Sequence, residues 1–191
     1  MDLTAMTDED CQKRLKELIK ERALEFGEFT LASGKKSDYY IDGRLVTLHG
    51  EGAYCLARCI LHIIEDYDVV AVGGMALGAD PISGATAAVA ASRGIPLDAF
   101  MVRKQPKGHG TGRQVEGPLA DGAKVAMVED TVTTGGSTLK AIEAVERERN
   151  ASVEAVIAMV DRLAGAREAI EEAGYTFYSI FTVEDLGVKI Q

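Results

Sequence analysis

Apolar residues recur at helical spacing from about Asp8 to Leu24, where Leu15, Leu18 and Ile19 form a stripe that Thr7 or Asp8 can cap. Two short strands are predicted next, Phe29 to Gly34 and Lys36 to Asp42, around a turn at Gly34-Lys35. A helix follows from about Glu51 to Glu65. The period then changes. Val69 to Val72 is an unbroken apolar run stopped by Gly73-Gly74, and Ala79 to Arg93 reads as a helix rich in small residues. Further strands are predicted at Leu97 to Val102, Lys124 to Glu129, Val153 to Val160 and Phe177 to Phe181, with helices at Gly136 to Arg149 and Ala164 to Ala173.

Strands without polar alternation are buried on both faces, as in a parallel sheet covered by helices. Strand–helix–strand order with short links predicts an α/β fold whose five-stranded, mainly parallel sheet is flanked by helices. Ligands of such sheets bind beyond the carboxyl ends of the strands. One connection departs from the rhythm: Arg103 to Gly122 is long, rich in glycine and without period. A loop of that length inside a compact domain is usually functional or disordered.

The chain has 191 residues, enough for one domain with a full core, and 47% hydrophobic with 27% charged residues is ordinary for a globular protein. No apolar run approaches the ~20 residues that span a bilayer, and the acidic start Met1 to Asp10 lacks the basic and apolar regions of a signal peptide. A cytoplasmic protein with no membrane partner is expected. A net charge of -9 argues against nucleic acid and makes any basic cluster informative. Cys11, Cys55 and Cys59 are an odd set for a disulfide framework. Cys55, Cys59 and His62 lie a helical turn apart, but among small apolar neighbours that spacing reads as a buried helix face rather than a metal site.

The apolar run Lys124 to Val128 ends in two acids, Glu129 and Asp130, followed by Thr131, Val132, Thr133, Thr134, Gly135, Gly136 and Ser137 and then a helix. Glycines let backbone N–H groups converge, hydroxyls add donors, and a helix start adds partial positive charge, so the stretch suits a phosphate monoester. Carboxylates repel phosphate, but they accept from the 2- and 3-hydroxyls of a ribose and favour a nearby cation. No Gly-Lys-Ser/Thr follows, so this is no Walker loop. Two acids after an apolar strand, then Thr-x-Thr-Thr-Gly-Gly-Ser, resembles the signature of type I phosphoribosyltransferases, which bind 5-phosphoribosyl 1-pyrophosphate (PRPP) there.

The segment Arg103 to Arg113 concentrates Arg103, Lys104, Lys107, His109 and Arg113 among three glycines. Cations suit a pyrophosphate leaving group, and glycines suit a loop that closes and excludes water. Arg-Lys-x-x-Lys-x-His-Gly-x-Gly before Val115-Glu116-Gly117 resembles the orotate phosphoribosyltransferase family. That resemblance implies a type I phosphoribosyltransferase fold with a small N-terminal hood (about 1–45 with the C-terminal end) on a core of about 50–182. It implies transfer of ribose 5-phosphate from PRPP to orotate in pyrimidine synthesis, with Mg2+ held mainly through PRPP and no firm protein ligand. It also implies a homodimer whose basic loop, 103–113, acts in the partner's site.

By the same resemblance, PRPP is bound by Arg103, Lys104, Lys107, His109 and the stretch Glu129 to Ser137, with Lys107, Glu129 and Asp130 catalytic. Orotate meets Thr133, Arg162, Tyr40 and Ile41, the arginine taking its carboxylate. Some members carry a lysine where Ala32 stands and another where Leu77 stands. The first contact then passes to another group, with Lys36 the candidate, or is lost; the second falls to backbone N–H groups. Two alternatives stay open: a purine-base phosphoribosyltransferase, and a PRPP-binding regulator without activity.

Overall fold

The computed structural model describes residues 2–30, 34, 36–106 and 112–190. After a single 3-10 turn at Leu3–Ala5 comes α1 (Asp8–Leu18). Thr7 and Asp10 close a reciprocal box on it: the Asp10 N–H donates to the Thr7 hydroxyl at 3.1 Å and the Thr7 N–H to the Asp10 carboxylate at 3.2 Å. The helical pattern extends to Leu24 in the sequence, but the chain widens into a π turn at Ile19–Ala23 and leaves as strand β1 (Leu24–Thr30). Ile19 and Ala23 are both buried and continue the apolar stripe, so periodicity alone does not register the change.

Strand β1 pairs antiparallel with β2 (Lys36–Ile41) in a sheet of its own. Then come α2 (Arg44–Thr47) and α3 (Gly50–Ile63), followed by β3 (Ala71–Met75), α4 (Ala79–Ser92), β4 (Asp98–Val102) and β5 (Val115–Glu116). The chain continues with β6 (Lys124–Val132), α5 (Gly136–Arg149), β7 (Ser152–Asp161), α6 (Ala166–Glu172) and β8 (Phe177–Thr182).

The second sheet runs β5-β4-β3-β6-β7-β8, six strands where five were expected, all parallel except β5. The added strand pairs only with Met101 and Val102, too short a run to carry any period. It is held instead by Glu148, whose carboxylate accepts from the Val115 N–H at 3.1 Å. Strand β3 also runs through Gly73-Gly74 rather than stopping there, and β6 runs past Glu129 to Val132.

Neighbours on β6 point to opposite cores. Ala126 and Val128 join the apolar cluster of α1, α3 and α4, while Val125 and Met127 join that of α5 and α6. Both faces are therefore covered, as the apolar runs require. Cys11, Cys55 and Cys59 lie within the first cluster. Burial pushes the Cys55 and Cys59 thiols up to about 12, so they behave as apolar filling. His62 faces outward to Glu65 at 3.1 Å.

The chain leaves β3 toward β4 on one side and returns to β6 on the other. The order of strands reverses between β3 and β6, and a crevice opens at their carboxyl ends. Glu129, Asp130 and the start of α5 gather around it.

Candidate active site

Glu129 and Asp130 stand near the carboxyl end of β6, beside the turn that follows β3. Glu129 is 7% exposed. Burial first, and the neighbouring Asp130 charge second, push its carboxyl up to about 8; the Thr138 hydroxyl, 3.5 Å away, and the Lys104 ammonium oppose the shift. Asp130 is also raised, chiefly by burial, although the Thr131 N–H donates to it at 2.8 Å. Its carboxylate is enclosed by two glycines. A Cβ on Gly43, at the start of α2, would come 2.8 Å from its Oδ2, and one on Gly78, at the start of α4, 2.9 Å from its Oδ1. Two carboxylates, only partly compensated, thus sit largely desolvated at the switch point, an arrangement that favours a ligand bearing hydroxyls or positive charge.

Beyond the acids, Gly135 turns the chain with φ 74° into α5. An ordinary capped helix would place a side chain on the first free N–H groups; here no side chain caps α5. Thr133, Thr134, Gly136 and Ser137 are exposed around that start. The helix is 14 residues long, so its first turn presents open donors and the positive end of its dipole to an anion.

Lys104 and Ser137 share the wall of a 410 Å³ cavity with Met75, which brings the stem of the basic segment to the phosphate loop of the same chain. Arg103 instead turns to Glu116, with Nε 3.1 Å from Oε1. Its backbone exchanges two bonds with Gln114: Arg103 N–H to Gln114 O at 2.9 Å, and Gln114 Nε2 to Arg103 O at 3.1 Å. Lys107, His109 and Ala32 lie outside the described residues. The turn after β3 contains a cis peptide at Ala76–Leu77, and Leu77 is 71% exposed.

Arg162 follows β7, whose last residue, Asp161, pairs in register with Val132; the Arg162 N–H donates to the Val132 carbonyl at 3.0 Å. That register sets Arg162 beside Thr133. An 810 Å³ cavity opens there, lined by Arg162, Tyr39, Ser37 and Lys36 of β2, and Val188 and Lys189 of the C-terminal tail. The alternation of β2 puts Tyr39 and Ile41 on one face and Tyr40 on the other. Ile41 packs on the core, and Tyr40 meets the Phe29 ring with centroids 5.6 Å apart. Tyr39, not singled out from the sequence, is the aromatic residue at this cavity. Strand alternation could have separated it from Tyr40; the tail was expected only through the resemblance, which grouped the C-terminal end with the hood, and its residues carry no motif of their own.

A doubly wound sheet with an acid pair and an open helix start at its switch point is the layout that the resemblance to type I phosphoribosyltransferases implied. No protein-family model matches the chain. The orotate phosphoribosyltransferase of Rhodopirellula baltica is 48% identical over 178 residues, 90% of this chain and 92% of that one. That of Streptomyces avermitilis is 46% identical, over 94% of this chain and 99% of its own. The crystal structure of Mycobacterium tuberculosis H37Rv orotate phosphoribosyltransferase in complex with PRPP superposes with a TM-score of 0.80 at 37% identity, covering 93% of this chain and 99% of that one. The chain belongs to the orotate phosphoribosyltransferase family.

Proposed function

We propose that this protein transfers ribose 5-phosphate from PRPP to N1 of orotate, giving orotidine 5'-monophosphate and pyrophosphate in pyrimidine synthesis. The observation that carries the reading is the buried pair Glu129–Asp130 beside the uncapped start of α5. The 5-phosphate sits on the donors of Thr131 to Ser137, and the two carboxylates accept from the ribose hydroxyls. The C1–O bond to pyrophosphate breaks with its electron pair leaving on the pyrophosphate. Orotate N1, giving up its proton, forms the new bond to C1. Positive charge develops at C1 near Glu129 and Asp130, which favour it. Arg103, Lys104, Lys107 and His109 receive the negative charge of the leaving group. The guanidinium of Arg162 pairs with the orotate carboxylate, with Thr133 beside it, whereas Tyr40 and Ile41 do not line the cavity at Arg162 and are left out of the base side.

The residues present fit Mg2+. Among the described residues no three His, Cys, Asp or Glu side chains gather as a cage. Mg2+ commonly completes its shell with substrate phosphates and water, so an ion held mainly through PRPP needs no protein cage, and the nearby Glu129 and Asp130 would favour its charge. The ion would neutralise charge on the pyrophosphate.

The proposal includes a homodimer in which residues 103–113 act on the partner's site. Leu45 and Leu48, 50% and 72% exposed beside the hairpin, supply apolar surface for such contact. It also includes a cytoplasmic setting, since a multiply phosphorylated sugar does not cross membranes; no described helix is long and apolar enough to span one. The test is a turnover assay with PRPP, Mg2+ and, in turn, orotate, adenine, guanine and xanthine. Pyrophosphate release with orotate alone is expected. Turnover only with a purine, or PRPP binding without turnover, overturns the reading.

A further inference from the structure

Arg162 follows the last residue of β7, and the base-side cavity opens at its guanidinium. A free arginine there would sample many rotamers, and a carboxylate arriving at it would have to order them. The structure provides a restraint from the other side of the cavity. Arg162 Nε donates to the Tyr39 hydroxyl at 3.1 Å, and the guanidinium carbon lies 4.9 Å from the centroid of the Tyr39 ring. The two residues are 123 positions apart, so this contact ties the hairpin to the end of the main sheet.

Each partner is fixed from behind. Tyr39 is paired with Phe26 across the hairpin, and the Ser37 hydroxyl donates to the Tyr39 carbonyl at 2.7 Å. The backbone of Arg162 is tied to Val132 at 3.0 Å. A guanidinium can grip a carboxylate along the edge that includes Nε or along the edge formed by its two terminal nitrogens. Tyr39 occupies Nε. Among the described residues no side chain bonds to the terminal nitrogens, so the end-on edge is left for a ligand.

We propose that Tyr39 is a positioning residue for orotate recognition: its hydroxyl holds Arg162 Nε so that only the end-on edge of the guanidinium meets the substrate carboxylate. The inference rests on the reading of Arg162 as the carboxylate partner. It assigns Tyr39 a part in affinity and selectivity for the anionic base, with no part in PRPP binding or in the bond-making step.

Steady-state kinetics of Tyr39→Phe, Arg162→Ala and the double variant test this, with orotate and with uracil, which lacks the carboxylate. Tyr39→Phe keeps the ring and removes one hydrogen bond, so KM for orotate should rise about three- to tenfold while kcat and KM for PRPP stay within about twofold. Turnover of uracil should not change, and the preference for orotate over uracil should shrink by the same factor. In the Arg162→Ala background the Tyr39 change should add nothing. A thermal melt of each variant separates a folding defect from these effects. If Arg162→Ala raises KM for orotate but Tyr39→Phe does not, or adds its full effect to Arg162→Ala, the role of Tyr39 is overturned and that of Arg162 stands. If Arg162→Ala leaves KM for orotate unchanged, the Arg162 reading fails and Tyr39 falls with it.

Discussion

The half of the site proposed to face the ribose and its 5-phosphate comes from one stretch of chain, residues 128–137, and is built largely from backbone: a strand end, a left-handed glycine and an uncapped helix start. The half proposed to face the base comes from stretches far apart in sequence, at 36–39, 162–164 and 188–190, and presents side chains around an open 810 Å³ cavity. A phosphate on a ribose is the same group whatever base is transferred, and backbone donors persist through every substitution except proline. The base differs from one phosphoribosyltransferase to another, and side chains on a hairpin and a tail can change without disturbing the sheet. On the proposed reading, the common part of the ligand is recognised by secondary structure and the variable part by what the secondary structure carries.

The largest effect should come from the leaving-group charge. Lys107→Ala should lower kcat about a hundredfold or more, the loss typical when one donor to a developing anion is removed, with circular dichroism and Tm unchanged. Near-normal turnover would take Lys107 out of that role and leave the phosphate side to the backbone and the acids alone. Next is the base side. Arg162→Ala removes charge-assisted hydrogen bonds of about 1.5–3 kcal/mol, so kcat/KM for orotate should fall roughly ten- to hundredfold. PRPP affinity by titration calorimetry should hold. A matching loss of PRPP affinity would mean that the two halves are one coupled unit.

The same contrast decides what could be read from the sequence. Strand–helix alternation gave the sheet because its strands are buried on both faces, and the phosphate loop is legible because its parts are contiguous: Glu129-Asp130 before Thr133-Thr134-Gly135-Gly136 is already a site in one dimension. The base side is not. Tyr39 and Arg162 meet only after a hairpin folds over the end of β7, and Val188 joins them through a tail whose residues carry no motif. Nor could the sequence show the enclosure of Asp130, which depends on Gly43 and Gly78 arriving from two different elements. The two-residue strand β5 escaped for a simpler reason, since period needs length and its place is set by Glu148 of α5.

A smaller effect probes whether the phosphate side depends on backbone shape. Gly135 has φ 74°, and a Cβ there would lie 3.2 Å from Ile170 Cγ1 and 3.3 Å from the Ala166 carbonyl. Gly135→Ala should cost about 1–2 kcal/mol from the left-handed conformation, seen as a Tm lower by about 2–8 °C. KM for PRPP should rise more than KM for orotate. An unchanged KM for PRPP in a destabilised variant would place the phosphate contacts elsewhere on the loop.

A pH-dependent effect of similar size concerns the acids that link the two halves. The Glu129 carboxyl is pushed up to about 8 in the ligand-free fold, whereas an unfolded chain ionises it in the ordinary carboxyl range. Between those values the folded protein holds a proton that the unfolded chain has lost. Stability therefore falls as pH rises through that window, and the whole penalty is present above about 8. Glu129→Gln removes the titration. The variant should match the parent near pH 4 and be more stable than it near pH 9 by about 1–3 kcal/mol, measured by urea unfolding without PRPP or divalent metal. Its activity should nonetheless be low, because the amide no longer favours positive charge at C1. Stability gained where activity is lost would mark Glu129 as a group kept for the ligand at the expense of the fold. A variant no more stable at pH 9 than the parent would show that the empty site already compensates the carboxylate, and that the acids belong to the rigid backbone half rather than to the ligand.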